Sequence, residues 1–291
     1  MNDLKINKYS IFKNVKIIET NNGKYVIKKR NHNNDYLFQY LRSKNFNNFV
    51  NIYRCNDDYE MYPYVDNINL TDEEKALDII YIITLLHNKT TSYKITDQDL
   101  LQKIYEDIND KLIYISNYYD NLKMIIEEEL YPSPSKYLLL RNSTVIYHSI
   151  DSSKYFIDKW YKKAKEKNNY RVATCHNNLE LDHLIKDDGV YLISWNKACR
   201  ASPIYDILSL YKNVYDKVDF FSLFEIYNTK YPLFEEEIYL LFALLLVPDK
   251  IDLSFKEIIN TKNVYDLTNY LMITNDFVSK YHTNNSTSQK N

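Results

Sequence analysis

The stretch from Arg171 to Trp195 concentrates the side chains of this chain that could do chemistry. Cys175, His176 and His183 offer metal-binding sulfur and nitrogen, and Asp182, Asp187 and Asp188 offer carboxylates. A short apolar run precedes them, and Val190-Tyr191-Leu192-Ile193 follows them. That is the layout of a strand, a loop carrying reactive groups, and a hairpin able to hold a metal ligand. A zinc centre on Cys175, His176 and His183 fails because no second cysteine or carboxylate sits at ligand spacing. The aspartates are near enough in sequence to replace a lost magnesium ligand, although turn aspartates ordinarily face solvent. Elsewhere, Lys28 in Tyr25-Val26-Ile27-Lys28 is a strand lysine whose side chain points opposite to that of Lys29. A phosphate loop built from several glycines is excluded, since Gly23 and Gly189 are the only glycines in the chain. Lys13-Asn14, just before Val15, contain none.

The elements that must position these groups follow from periodicity and turn chemistry. Residues 9 to 30 read as strands, with Val15–Thr20 and Lys24–Lys28 paired around Asn21-Asn22-Gly23, whose Asn-Gly supplies positive φ cheaply. Asn34–Ser43 places Leu37, Tyr40 and Leu41 on one face of a short helix. Phe49–Tyr53 and Tyr59–Tyr64 read as two further strands. Thr71-Asp72-Glu73-Glu74 is a capping box that opens a helix through Leu86. From Asp97 to about Glu129, apolar residues step by three or four and define a long helix. Ser133-Pro134-Ser135 supplies a break and a new N-cap. Ile238–Val247 is too short to span a bilayer, which takes roughly 20 residues, and reads as a buried helix. The polar tail from His282 cannot repay its ordering entropy and is expected to be disordered.

The expected class is therefore α+β, with a small antiparallel N-lobe over residues 1–66, a helical C-lobe over 67–281 and a free tail over 282–291. Within that order, His176-Asn177-Asn178 through His183, followed by Ile193-Ser194-Trp195, resembles a pattern of the aminoglycoside phosphotransferases, choline kinases and spore-coat kinase-like proteins. In those families the pattern is His-Gly-Asp-x-x-x-x-Asn and then Ile-Asp-Trp. The resemblance implies a two-lobed protein-kinase-like fold and runs from about Tyr9 to Tyr215. It implies Lys28 as the phosphate-binding lysine and Tyr59–Asp66 as the hinge facing an adenine ring, with Tyr62 and Tyr64 as cofactor contacts. His176 becomes the organiser of the loop at 171–195, Leu85-Leu86-His87 a family helix end, and Trp195 and Asp206 framework residues. The helix that should offer Lys28 a glutamate has only Asn34, Asp35 and Gln39 nearby.

Against this pattern, three positions depart together. Asn178 stands at the position of the aspartate base, His183 at that of a metal-binding asparagine, and Ser194 at that of the metal-binding aspartate. An asparagine amide cannot take a proton, and serine offers magnesium a neutral oxygen where a carboxylate is preferred. The resemblance thus implies a catalytically impaired kinase-fold protein, a pseudokinase that binds a nucleotide, a small polar ligand or a protein partner. ATP stays open as a cofactor, while magnesium is counted against. The alternative is an active phosphotransferase with a rearranged metal site, acting on an alcohol group of an aminoglycoside, choline or similar substrate. A structural spore-coat role is the third.

Composition bounds these readings. The 37 basic and 39 acidic residues nearly cancel, so no field attracts nucleic acid or an anionic membrane. Three scattered cysteines fit a reducing compartment, and Met1–Lys5 does not read as a signal peptide, so a cytoplasmic location is expected.

Overall fold

The computed structural model describes residues 5–12, 15–30 and 34–288. Lys13-Asn14 lie outside them. In chain order the elements are strands β1 (Ile6–Phe12), β2 (Val15–Thr20) and β3 (Gly23–Lys29), helix α1 (Asp35–Ser43), strands β4 (Arg54–Cys55) and β5 (Tyr59–Pro63), helix α2 (Asp72–Thr90) and strand β6 (Ser92–Ile95). Helices α3 (Gln98–Glu127), α4 (Pro134–Arg141) and α5 (Ser143–Ala164) follow, then strands β7 (Asn169–Cys175), β8 (Leu184–Lys186), β9 (Val190–Leu192) and β10 (Cys199–Ala201). The chain closes with helices α6 (Ile204–Val214), α7 (Phe220–Lys230), α8 (Glu235–Leu246) and α9 (Glu257–Ser288). The class is α+β, as expected. Among the described residues no helix is long and apolar enough to cross a membrane.

Contacts sort the chain into two compact units, Met1–Ser92 with Ala173–Asn213, and Tyr93–Val172 with Val214–Asn291. Helix α2 and the loop region after β7 group with the N-terminal sheet in the first unit, and α2 buries Ile79, Ile80, Ile83 and Leu86.

In the first unit an antiparallel sheet runs in the order β1-β2-β3-β5-β4. The β2–β3 hairpin closes on the pair Thr20 and Gly23, with Gly23 at φ 123°, a conformation open to a residue without Cβ. The predicted strand over Phe49–Tyr53 does not form. Phe49 instead makes an isolated bridge to Leu192, and its ring stacks on Phe38 at 4.5 Å and meets Trp195 edge-on at 6.4 Å. Burying that ring determines the path of the segment, leaving only the two-residue β4 to pair with β5. On α1 the fully buried residues are Phe38 and Leu41, while Leu37 and Tyr40 of the predicted face are half-buried. The capping box of α2 forms in both directions between Thr71 and Glu74.

The second unit is helical around a core in which Leu112, Ile115 and Tyr119 of α3 meet Leu139 of α4, Ile146 and Ile150 of α5, and Val264, Leu267 and Leu271 of α9. The predicted apolar helix is α8, with Leu240, Leu241 and Phe242 buried. Helix α4 follows the break expected at Ser133-Pro134-Ser135 but takes in Pro134 and Ser135 itself; the Ser133 side chain makes no cap, and the Ser135 amide donates to the Glu257 carboxylate instead. The tail expected to be free from His282 is helical through Ser288, since α9 continues. The His282 ring stacks on Phe156 at 5.4 Å, which supplies the apolar contact the composition of the tail lacked, and adding turns to an existing helix costs far less than starting one.

The start of β7 is pinned by Arg171, which is 8% exposed. Its Nε donates to Glu237 Oε1 at 3.0 Å, its terminal nitrogen donates to Glu237 Oε2 and to the Pro232 carbonyl, and its guanidinium lies between the Tyr231 and Phe234 rings, 4.3 Å from each. Glu237 also accepts from the Phe234 amide at the start of α8. Glu237→Ala would leave this guanidinium buried and unpaired, so it is expected to lower unfolding stability by about 3–5 kcal/mol in urea titrations, with Arg171→Lys also destabilising because an ammonium cannot reproduce the two-pronged contact.

Candidate functional site

The end of β7 delivers the loop. Its last three residues pair with β10, Cys175 opposite Cys199, and the Thr174 amide donates to Thr90 Oγ1 of α2 at 2.9 Å. Asp206, in the first turn of α6 and fully buried, then gathers the chain. Its Oδ1 accepts from the Asn177 amide at 2.7 Å, and its Oδ2 accepts from the His176 amide at 2.9 Å and lies 3.1 Å from His87 Nε2. Burial by itself would raise this carboxyl, but the His87 contact and the amide donors outweigh it and hold the pKa below the usual carboxylate range. These contacts force the chain at Asn177 into the left-handed region, φ 55°, a cost asparagine bears better than most residues.

His176 is fully buried, with its ring edge-on to Trp195 at 4.7 Å. Its Nε2 donates to the Ile193 carbonyl at 2.9 Å, so the loop after β7 is tied to the residue before Ser194. Nδ1 has no hydrogen-bond partner. Burial pushes the imidazole down to about 4, with a smaller opposing pull from Asp206, and the ring is neutral at pH 7. Trp195 itself is 4% exposed, donates from Nε1 to the Leu192 carbonyl at 2.8 Å, and packs against Phe38 and Phe46. Ser194 is also left-handed, φ 68°, which fits the tight connection between β9 and Trp195.

In the first unit a cavity of about 410 Å³ opens between the sheet and this loop. Lys28, Tyr62, Tyr64, Asn178, Ser194 and Trp195, all singled out from the sequence, line it. His176 and Asp206 lie outside the lining and support the loop from beneath. His183 also lies outside it, its Nδ1 donating to the Asn178 carbonyl at 2.6 Å, while Asn178 Nδ2 donates to the Ser194 carbonyl at 3.3 Å. The three departed positions therefore bond to one another through the protein. Lys28 is half-buried, its Nζ 5.9 Å from the centre of the Tyr62 ring; burial lowers the pKa of its ammonium, and Glu60 opposes that shift. The Tyr64 amide donates to the Lys24 carbonyl at 3.0 Å, and its ring lies beneath the Lys24 ammonium.

Two contributors escaped the reading of the sequence. Glu60 lines the cavity and is 5% exposed, and the β3–β5 register sets it opposite Lys28. The alternation of β5 carried that signal, since Glu60 and Tyr62 must share a face. His87 meets Asp206 across 119 positions of sequence, which no local pattern announces.

The residues present do not fit magnesium. Among the described residues the only carboxylate in the lining is that of Glu60, engaged by Tyr62 and Arg30, and Asn178, His183 and Ser194 supply no charged oxygen. Asp182, Asp187 and Asp188 are exposed and outside the lining. His87, Cys175 and Asp206 bring three possible ligand atoms within 4.8 Å of one another, but Asp206 is committed to amide donors and the Cys175 thiol, raised by burial, donates to the Ser202 carbonyl at 3.3 Å.

The neutral His176 gives a pH signature. Its pKa is lower folded than unfolded, so the unfolded chain takes up the proton first. The stabilisation is complete above about pH 6.5 and is lost as the pH falls toward 4, amounting to about 3 kcal/mol. His282, partly buried, shifts the same way, so the measure is the difference between chains: His176→Gln is expected to flatten the dependence of urea-unfolding free energy on pH over that window.

No protein-family model matches the chain, and no curated protein matches it. Solved structures do. The chain is similar to an aminoglycoside phosphotransferase from Alicyclobacillus acidocaldarius, with a TM-score of 0.71 and 12% identity over 97% of this chain and 94% of that one. It is also similar to spectinomycin phosphotransferase in its AMP-bound complex, with a TM-score of 0.58 and 12% identity over 92% and 93% of the two chains. The same enzyme with ADP and spectinomycin gives 0.52, at 13% identity over 94% and 92%. The chain therefore has the protein-kinase-like fold that these phosphotransferase structures share.

Proposed function

We propose that this chain is a catalytically impaired kinase-fold protein whose cleft binds a nucleotide or a comparable small polar ligand without transferring a phosphoryl group. The observation that carries the reading is the bonding of Asn178, His183 and Ser194 to one another at the edge of a well-formed cavity. Phosphoryl transfer needs a carboxylate to orient the nucleophile and charged ligands to hold magnesium, and these positions supply neither. What the cavity keeps is a binding surface, with the Lys28 ammonium at one side and apolar walls such as Val15, Val26 and Leu192 able to take a planar ring. The similar spectinomycin phosphotransferase is seen with AMP and with ADP, which makes an adenine nucleotide the first ligand to test.

Calorimetric titration of ATP, with magnesium and then with EDTA, tests the reading directly. Binding is expected in EDTA and is expected to weaken at least tenfold in Lys28→Ala. Tight binding that requires magnesium, with transfer to a hydroxylated acceptor, would establish the active phosphotransferase instead, and absence of heat in both conditions would direct attention to a protein partner. Restoring carboxylates with the double variant Asn178→Asp, Ser194→Asp is expected to make ATP affinity rise on adding magnesium, a response the unaltered chain should lack.

A further inference from the structure

Lys28 and Glu60 sit directly opposite each other in the antiparallel β3–β5 pair. Their side chains therefore leave the same face of the sheet with Cβ atoms about 5 Å apart, and both line the cavity. Glu60 Oε2 accepts from the Tyr62 hydroxyl at 2.6 Å, while Oε1 is buried without a hydrogen bond, its nearest cation being Arg30 Nε at 3.7 Å. A carboxylate this buried persists only where cations offset its lost hydration. Arg30 divides its donors, giving Nη2 to Asp35 at 3.2 Å and Nη1 to the Asn56 carbonyl at 3.0 Å. Lys28 and Lys29 are the cations that line the cavity, and of the two it is Lys28 that the β3–β5 register sets opposite Glu60; Lys28 makes no ion pair within 4.0 Å among the described residues. The neighbouring helix α1 buries Phe38 and Leu41, and the carboxylate in its first turn, Asp35, faces Arg30.

We propose that Glu60 is the positioning residue for Lys28: the sheet itself, rather than α1, supplies the carboxylate that directs the lysine ammonium into the cleft. This deepens the reading of the cleft as a binding site and rests on Lys28 contacting the ligand. Because β3 and β5 are hydrogen-bonded neighbours, the pair is assembled whenever the sheet is, and the orientation of Lys28 does not depend on any movement of α1. The charged and titratable groups around Lys28 are then Glu60 and Tyr62 on β5, Lys29 on β3 and Arg30 just after it, with Asp35 on α1 and neutral Asn178 and Ser194 on the loop side.

The test is the pH dependence with which Lys28 in the full chain is acetylated by acetic anhydride, followed at that residue by mass spectrometry. Glu60→Gln keeps the shape and still accepts from Tyr62 but removes the charge that favours the protonated lysine, so the labelling midpoint of Lys28 is expected to fall by about one pH unit. Asp35→Asn is expected to leave it in place. An unchanged midpoint in Glu60→Gln, or a shift in Asp35→Asn of the same size, overturns the proposal. Should Glu60→Gln fail to fold, Glu60→Asp is read in its place, where the withdrawn carboxylate is expected to give a smaller shift in the same direction and no shift overturns the proposal. ATP titration separates the two levels: a chain that binds no ATP removes the proposed function while the labelling shift still stands or falls by itself.

Discussion

A buried carboxylate that cannot be left alone organises the region around the cleft. Asp206 is fully enclosed, and the two amides at Asn177 and His176 and the His87 imidazole converge on its two oxygens. An ionised group with this little water is tolerable only when its donors are in place, so the end of β7, the end of α2 and the first turn of α6 are held together by the same requirement. The backbone gives way accordingly at Asn177. From there His176 continues the chain of constraint to Ile193, and Trp195 fixes the other side against the Phe38, Phe46 and Phe49 rings. The loop that borders the cavity is thus held by contacts within the protein itself.

That independence means that the support of the loop does not rest on the side chains at positions 178 and 194. None of the groups in the supporting network needs an aspartate at position 178 or 194 to satisfy its hydrogen bonds. A side chain change at those positions leaves the Asp206 donors and the aromatic cluster intact, and the Asn178 side-chain amide donates to the Ser194 backbone carbonyl. Similarity in backbone at a TM-score of 0.71 with 12% identity is what such a division of labour permits. The sheet adds a second independent feature, because the alternation that puts Lys28 in the cavity also puts Glu60 there.

Much of this was legible locally. The β2–β3 hairpin follows from alternation around Asn21-Asn22-Gly23, the start of α2 from Thr71 and Glu74, and α3 from apolar residues repeating over its whole length, since each signal is completed within a few residues. The loop pattern from His176 to Trp195 pointed to the same fold as the structure. The local signals failed where a distant contact outweighed them. Phe49 left its strand for the Trp195 cluster, and the polar tail continued as a helix because α9 was already formed and His282 found Phe156.

The sequence by itself determined the β2–β3 hairpin, the capped start of α2, the long helix α3, the absence of a carboxylate at positions 178 and 194 and the absence of a glycine-rich phosphate loop, because these depend on residue type and short-range spacing. Only the tertiary structure decided that His87 meets Asp206, that Glu60 faces Lys28, and that Asn178, His183 and Ser194 bond to one another. The reason is physical: burial and strand register bring together residues that are remote along the chain, and the energy of a buried charge is set by those neighbours rather than by its own position in the sequence.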